Sequence, residues 1–180
     1  MNRPLRVLTV CTHNRARSVA MAAHLQAQLD ARRIHAHLVS AGFNDAGLPA
    51  TPEVVAALAP SGLDMAEHRS RRINGAMATG ADLIITAERM HVVRICEDDH
   101  DLFARTFTLP ELVLRGEAVG PRRGAPLEEW LAAVGEGRSQ ATFLTAPVGQ
   151  IADPTGQSAM VVAAAVAEIG DWCRRLAGLL

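Results

Sequence analysis

Residues 5–18 read LRVLTVCTHNRARS and contain the clearest structural signal in the chain. Its first part, Leu5 to Val10, is short, apolar and β-branched, which is typical of a buried strand. After Arg17, apolar residues recur at helical spacing, and Ser18 offers a hydroxyl that could cap the helix. Only the polar loop from Cys11 to Arg17 separates the two patterns. We therefore predict a strand, a short loop and a helix, the first unit of a parallel sheet.

Strand and helix patterns alternate along the rest of the chain. Further strands are predicted at residues 37–40, 83–86 and 105–109, and helices at 52–58, 89–95, 127–134 and 158–180. Because such alternation requires crossover connections, we expect an α/β fold, a three-layer α/β/α sandwich with a four-stranded parallel sheet. We expect one domain over residues 1–180. The stretch 115–149 is richer in Gly and Pro and is predicted to be a surface excursion.

Composition excludes several classes of protein. A net charge of -1 argues against binding to nucleic acid or to a membrane through bulk charge. The three cysteines cannot pair completely and lack zinc-site spacing, and every apolar run is too short for a secretory signal or a membrane span. We expect a cytoplasmic protein without nucleic-acid or membrane partners. All 18 basic residues are arginines, Tyr is absent, and aromatic residues make up 3% of the chain.

Cys11 is the candidate nucleophile. In an open parallel sheet, ligands bind at the carboxyl ends of the strands, which is where Cys11 lies. Loop amides, the positive end of the following helix and the guanidinium of Arg17 would stabilise its thiolate. The loop amides can also surround a tetrahedral oxyanion while Arg17 contacts two of its oxygens. The spacing of five residues between Cys11 and Arg17 is specific only because a strand precedes it and a helix follows it.

Asp153 is the candidate acid. Phosphoryl transfer needs a group that protonates the leaving oxygen, and the chain has one Asp-Pro dipeptide, Asp153-Pro154, just before the last helix. Pro154 would stiffen this loop and fix the direction of the carboxylate. The alternative is that the dipeptide only initiates a turn.

Taken in order, these residues resemble the low-molecular-weight protein tyrosine phosphatases. Residues 10–18 resemble the family's phosphate loop, and four further stretches resemble family segments: residues 40–42, 67–71, 81–86 and 153–154. The resemblance implies that Cys11 attacks phosphorus and forms a phosphocysteine, that Arg17 holds the phosphoryl oxygens, and that Asp153 serves as acid and then as base. It implies no metal and no organic cofactor.

The resemblance also assigns supporting residues. It places the phosphate group against Thr12, His13, Asn14, Arg15, Ala16, Arg17 and Ser18. It places a hydrogen-bonded network behind this loop, formed by Asn14, Ser18, Ser40 and His68. The expected reaction is hydrolysis of phosphomonoesters, protein phosphotyrosine first among them, with a phosphoprotein or small phosphomonoester as substrate and inorganic phosphate or another oxyanion as product or inhibitor.

The expected aromatic walls of the site are largely missing. Thr155 follows Asp-Pro where tyrosine-specific members carry an aromatic residue, Ala46 stands near the position of a second one, and Phe43 is the nearest candidate wall. Each lost ring contact is worth about 0.5–1.5 kcal/mol, so selection for phosphotyrosine should be weakened. Arg15 either adds positive charge to the mouth or points to solvent.

Two other functions stay open. The pair His13-Asn14 is similar to the loop of related arsenate reductases, and those that use a small thiol need only one cysteine. A module that binds oxyanions or phosphoproteins without catalysis is the other alternative. The remaining candidates are given structural roles. We expect Cys96 and Cys173 to pack in the core, and we expect surface or satisfied polar positions for five histidines: His24, His35, His37, His91 and His100. The basic run of Arg69, Arg71 and Arg72 is either solvated or docks an acidic partner.

Overall fold

The apolar runs predicted as strands form one parallel sheet. The computed structural model describes residues 3–44, 46–97 and 99–180. Its strands are β1 (Leu5–Cys11), β2 (Ala36–Gly42), β3 (Leu83–Thr86) and β4 (Thr106–Thr108). Its helices are α1 (Arg17–Ala31), α2 (Pro52–Leu58), α3 (Gly75–Gly80), α4 (Arg89–Cys96), α5 (Leu109–Val119), α6 (Leu127–Val134), α7 (Gln140–Phe143) and α8 (Ala159–Leu179), with single 3₁₀ segments at Ala59–Ser61 and His100–Arg105.

The sheet has the strand order β2-β1-β3-β4, and all its pairs are parallel. Alternate residues of the central strand β1 point to opposite faces. Val7 and Cys11 join a core shared with α1, α5 and α8, whereas Leu8 and Val10 join a second core shared with α3 and α4. Helices therefore cover both faces, and the predicted three-layer α/β sandwich with a four-stranded parallel sheet is confirmed.

The observed bounds of two elements correct the prediction. Helix α1 begins at Arg17 with Ala16 before it, so the predicted N-cap at Ser18 is wrong, and that hydroxyl is used elsewhere. Strand β4 ends at Thr108, because the Thr108 hydroxyl accepts a bond from the amide of Glu111 and so caps α5. Leu109, predicted as the end of a strand, is the first residue of that helix.

The stretch 115–149, predicted as a surface excursion, is buried in part. Its first residues continue helix α5, and helix α6 has the predicted bounds. Four of its apolar side chains are buried in the core: Trp130, Leu131, Val134 and Phe143. Gly and Pro in this stretch separate short helices rather than keep the chain at the surface.

Helix α8 packs its predicted apolar stripe onto α1 and α5. The hydroxyl of Ser158 accepts from the amide of Val161 and caps its first turn. The buried stripe includes Cys173, and Cys96 is buried in the second core, as predicted for both thiols. Within the three described ranges, no helix is both long and apolar enough to span a bilayer.

Candidate active site

The phosphate loop, residues 12–16, connects β1 to α1 at the carboxyl end of the sheet. Cys11, the last residue of β1, pairs with Gly42 at the end of β2. A Cβ atom added to Gly42 would lie 2.7 Å from the backbone nitrogen of Asn14 and 2.8 Å from the carbonyl oxygen of Thr12. Only glycine allows this close approach of two backbones. Gly42 is thus a positioning residue, and its place at the end of a predicted strand was the available signal.

Asn14 fixes the shape of the loop. Its φ is 53°, a left-handed conformation that a non-glycine residue keeps only when its surroundings hold it there. Its side-chain Nδ2 donates to Ser18 Oγ at 2.9 Å, and its Oδ1 accepts from the amide of Arg71 at 2.8 Å. Its carbonyl oxygen accepts from Nε2 of His68 at 2.8 Å. Three groups from two parts of the chain therefore hold this one residue.

The bond to Asn14 sets the direction of the hydroxyl of Ser18. Because Ser18 Oγ already accepts from Asn14, its own hydrogen is available to Cys11 Sγ, which lies 3.0 Å away. The side chain of Cys11 is buried. A hydroxyl donor favours the negative form of its acceptor, so this contact stabilises a thiolate at Cys11.

The predicted support network is assembled with one exception. Asn14, Ser18 and His68 are joined by hydrogen bonds. Ser40 is buried but, among the described residues, no hydrogen bond reaches its side chain, so it is not part of this network. It lies opposite Thr9 in the sheet, and the hydroxyl of Thr9 donates to the Ser18 carbonyl at 2.8 Å. The fourth member of the network is instead the backbone amide of Arg71, which the sequence did not indicate.

Several hydrogen-bond donors of this loop have no protein acceptor among the described residues. In the described part of the chain, the backbone N–H groups of residues 12–16 donate to no protein acceptor. The Nε atom of Arg17 is buried and has no partner either. Buried donors are normally satisfied, so a group of open ones indicates a site for an acceptor. A concave set of amides beside a guanidinium fits a tetrahedral oxyanion.

Arg17 is 2% exposed and draws two carboxylates into the site. Its Nη1 contacts the carboxylate of Glu88 and donates to the carbonyl of Ile151 at 3.1 Å, and its Nη2 donates to Asp153 Oδ2 at 2.9 Å. The structure thus brings Cys11, Arg17 and Asp153 to one end of the sheet. Glu88, which the sequence analysis missed, follows the end of β3, and acidic residues directly after a parallel strand were the signal that could have found it.

Asp153 is held by Thr155. Its Oδ1 accepts from the hydroxyl of Thr155 at 2.8 Å and from the amide of Thr155 at 3.1 Å. Burial acts to raise the pKa of Asp153, but the Thr155 hydrogen bonds and the charges of Arg17 and His13 outweigh it and lower that pKa. The residue in place of the expected aromatic therefore orients the candidate acid instead of forming a wall for a substrate ring.

His91 is part of the site, although the sequence analysis placed it among surface or satisfied polar residues. Its Nδ1 accepts from the amide of Glu88 at 3.1 Å, so its Nε2 carries the proton and donates to the hydroxyl of Thr12 at 3.1 Å. Burial lowers its pKa to about 4, and the charges of Arg17 and Arg94 act in the same direction. His91 is therefore a neutral donor at pH 7.

The side chains around the mouth are mostly polar. The ring of Phe43 stacks on that of His91, with the ring centroids 5.5 Å apart. The guanidinium of Arg94 lies over the ring of Phe43, 4.0 Å from its centroid. Arg15 is half-buried, and its Nε donates to the carbonyl of Pro49 at 2.8 Å, so it points neither freely to solvent nor into the loop. The ring of His13 is exposed, and its Nδ1 lies 3.0 Å from the side-chain Nδ2 of Asn44.

A cavity of about 210 Å³ adjoins the loop between α2 and the segment that carries Asp153. It is lined by Ala16, by Thr51, Glu53 and Val54, and by residues 154–157 and 162, none of which is aromatic. Within the described residues, no three His, Cys, Asp or Glu side chains are grouped so that they could hold a metal ion. The chemistry that the site offers is therefore that of a thiolate, a guanidinium, backbone amides and carboxylates.

Comparisons with known proteins agree with this arrangement. The sequence model of the low molecular weight phosphotyrosine protein phosphatase family matches residues 6–115, more than half of the chain. A probable low molecular weight protein-tyrosine-phosphatase, EpsP of Ralstonia nicotianae, is 34% identical over 83 residues, which cover 46% of this chain and 54% of that protein. The chain thus spans about half the length of the curated relatives it matches.

Solved structures share the fold over almost the whole chain. The YwlE arginine phosphatase from Geobacillus stearothermophilus is 26% identical with a TM-score of 0.70, covering 97% of this chain and 91% of that one. A low molecular weight protein tyrosine phosphatase from T. tengcongensis is 24% identical with a TM-score of 0.73, covering 96% and 97%. Asp153 lies beyond the family match, which ends at residue 115. The chain belongs to the low molecular weight phosphotyrosine protein phosphatase family.

Proposed function

We propose that the protein is a cysteine-dependent phosphatase that hydrolyses phosphomonoesters through a phosphocysteine intermediate. The observation that carries this proposal is the phosphate loop itself. A sulfur with a hydroxyl donor 3.0 Å away lies at the base of a loop whose amides, together with the buried Nε of Arg17, have no acceptor among the described residues. These groups supply a nucleophile and an oxyanion site in the same place.

In the first step, the Cys11 thiolate attacks phosphorus in line with the leaving oxygen. The S–P bond forms as the P–O bond breaks. The electron pair of the P–O bond stays on the leaving oxygen, which takes a proton from Asp153. A bound phosphoryl dianion draws Arg17 away from Asp153. The loss of that cation and the nearby negative charge raise the pKa of Asp153, which allows it to hold the proton it must donate.

In the second step, Asp153 acts as a base. Its carboxylate removes a proton from water while the water oxygen attacks the phosphocysteine, and the S–P bond breaks. The sulfur leaves as a thiolate that the hydroxyl of Ser18 stabilises. The products are inorganic phosphate and the restored Cys11, and no metal is needed for either step.

Protein phosphotyrosine is the substrate that we propose first, because the family and the EpsP relatives are named for it. The YwlE structures show that the same fold also carries a phosphatase named for arginine. In this chain the cavity beside the loop lacks aromatic walls, and Phe43 is engaged by Arg94 and His91. Weak ring contacts should leave modest discrimination between phosphotyrosine and other phosphorylated groups.

The test is hydrolysis of an aryl phosphate in the presence of a chelator. We expect turnover by the unaltered protein, none by Cys11→Ser, and turnover slowed about 10²–10³-fold by Asp153→Asn with oxyanion binding retained. Cys96→Ala, which removes a buried thiol from the second core, is the matched control and should remain active. Full activity of Cys11→Ser would refute the proposal.

Two further assays separate the alternatives. Formation of arsenite from arsenate with a small thiol would favour a reductase, and vanadate binding without turnover of any phosphorylated substrate would favour a binding module. Burial raises the pKa of Cys96 to about 11 and also raises that of Cys173. Neither of these core thiols is available to form a disulfide with Cys11, so a reductase would depend on an external thiol.

A further inference from the structure

Three arginines form an exposed edge beside the phosphate loop: Arg69, Arg71 and Arg72, here called the basic edge. The backbone that carries them is fixed on both sides. The amide of Gly42 donates to the carbonyl of Arg71 at 2.9 Å, and the amide of Ser70 donates to the carbonyl of Leu48 at 2.7 Å. The edge is therefore preformed, which reduces the entropy lost when a partner binds.

The charges of the basic edge are not neutralised by the described part of the protein. Among the described residues, no carboxylate pairs with any of its three guanidinium groups. Arg69 donates to the carbonyls of Ala66 and His68 at 3.3 and 2.8 Å, while the side chains of Arg71 and Arg72 make no hydrogen bond to a described residue. Glu67 is the nearest carboxylate along this segment, and Asp45 of the neighbouring loop lies outside the described residues.

The basic edge is close enough to act on a bound phosphorylated residue. Arg72 pairs with Gly42, whose position touches the backbone of Asn14, and the amide of Arg71 lies 2.8 Å from Asn14 Oδ1. Neighbouring strand segments are about 4.8 Å apart, so the edge lies within about 10 Å of the loop, a distance similar to the Debye length at 0.1 M salt.

We propose that the basic edge binds acidic side chains that flank the phosphorylated residue of a protein substrate. This inference rests on the proposed phosphatase function and specifies its substrates. An extended peptide advances about 3.3–3.6 Å per residue, so Asp or Glu two to four positions from the phosphorylated residue reaches the arginines. A nucleic acid is the poorer match, because the chain carries a net charge of -1 and the edge contains no aromatic residue on which bases could stack.

The test measures binding of phosphotyrosine peptides to the Cys11→Ser protein, so that turnover does not consume them. Peptides of equal length carry Asp, Gly or Arg at the positions two to four residues before or after the phosphotyrosine. We expect Kd to be about tenfold lower for an acidic flank than for a neutral one at about 25 mM salt, and less than about twofold lower at about 500 mM.

Charge reversal sharpens the test. Arg71→Glu/Arg72→Glu should lose the preference for acidic flanks and favour Arg flanks, because the two replaced side chains hold no described residue by a hydrogen bond. Arg33→Glu is the matched control, because this exposed arginine follows the far end of α1, and it should keep the preference. Equal Kd values for acidic and neutral flanks, or a preference unchanged by the reversal, would overturn the inference.

The two proposals fail in different ways. If aryl phosphate is hydrolysed through Cys11 and the peptides are not distinguished, the basic edge is refuted and the phosphatase function stands. If aryl phosphate is not hydrolysed at all, the proposed function is refuted and the inference falls with it. Tight binding of a single-stranded oligonucleotide that the charge reversal abolishes, without a preference among the peptides, would assign the edge to nucleic acid instead.

Discussion

Two arginines, Arg17 and Arg138, are almost equally buried, but their hydrogen bonds differ. Arg138 uses all three of its nitrogen positions: Nε and Nη2 donate to the carboxylate of Glu111 at 2.7 and 3.2 Å, and Nη1 and Nη2 donate to the carbonyls of Phe103 and Thr106 at 2.9 and 2.8 Å. Arg17 also contacts carboxylates, yet its Nε has no partner among the described residues.

The surroundings of the two guanidinium groups differ as well. The guanidinium group of Arg138 lies 3.9 and 4.2 Å from the ring centroids of Phe107 and Phe103. The partners of Arg17 are Asp153, which is 40% exposed at the side chain, and Glu88, which is 34% exposed. Arg138, whose donors all have partners, therefore acts as a structural clamp. Arg17 has a free donor and partly exposed carboxylate partners, so it can exchange these carboxylates for a ligand.

The largest expected effect comes from Arg17→Lys. Lysine keeps the charge but not the planar fork that contacts two oxygens of a phosphoryl group, so kcat/KM for an aryl phosphate should fall about 10³-fold. Steady-state kinetics measures this, and urea unfolding should show a much smaller change in stability. A variant that keeps a tenth or more of the activity would contradict the role given to Arg17.

The reverse pattern is expected for Arg138→Gln. This change leaves the buried carboxylate of Glu111 with only the more distant and more exposed cation of Arg115, 3.5 Å away, and the free energy of unfolding should fall by about 3 kcal/mol. Denaturant unfolding measures the loss, while kcat of the folded enzyme should stay within about twofold, since no contact joins Arg138 to the loop. The double variant Arg138→Met/Glu111→Leu removes both charges and should recover most of the stability. Equal losses in the single and double variants would show that the pair is not the clamp.

Gly42→Ala tests how closely the loop depends on its neighbour. The added methyl would meet backbone atoms of Asn14 and Thr12 at distances of 2.7 and 2.8 Å, so the loop must shift, and kcat/KM should fall about 10²-fold. Gly178→Ala is the matched control, because a Cβ there meets no atom within 4 Å. Similar activities for the two variants would mean that the loop tolerates displacement.

The smallest expected effect is a dependence of stability on pH that comes from His91, which lies near Arg17. His91 has its pKa lowered from 6.5 to about 4, so between these values the unfolded chain binds a proton that the folded protein refuses. Stability should therefore fall by at most about 3 kcal/mol as the pH is lowered from about 6.5 to about 4. His91→Gln cannot titrate and should show a shallower fall, by unfolding at a series of pH values. An unchanged slope would contradict the neutral, buried state of His91.

Much of the fold followed from the sequence, because period and length are local properties. Helices α2 and α6 and strand β3 have the predicted bounds. The strand and helix patterns also located Cys11, the loop and Arg17 at the carboxyl end of the sheet, whereas Asp153 was singled out by its Asp-Pro dipeptide and by the family resemblance. The predicted start of α1 was wrong because the hydroxyl of Ser18 contacts the sulfur of Cys11 and does not cap the helix.

Contacts between distant segments could not be predicted in the same way. Glu88 and His91 read as ordinary helix-start residues, and only the packing of β3 beside β1 brings them to Arg17 and Thr12. The burial of Trp130 depends on contacts with Gly116 and the last helix, which local composition does not encode. The place of Arg71 in the support network depends on a backbone amide, which every residue except proline carries.

The most direct measurement of the central claim is a crystal structure of the protein with tungstate at the phosphate loop. We expect Arg17 Nε and one Nη atom each to lie within hydrogen-bond distance of tungstate oxygens, the amides of residues 12–16 to point at the anion, and the bond from Arg17 to Asp153 to be released. A structure in which Arg17 keeps both carboxylates and tungstate binds elsewhere would refute the role of the loop and Arg17 as the oxyanion site.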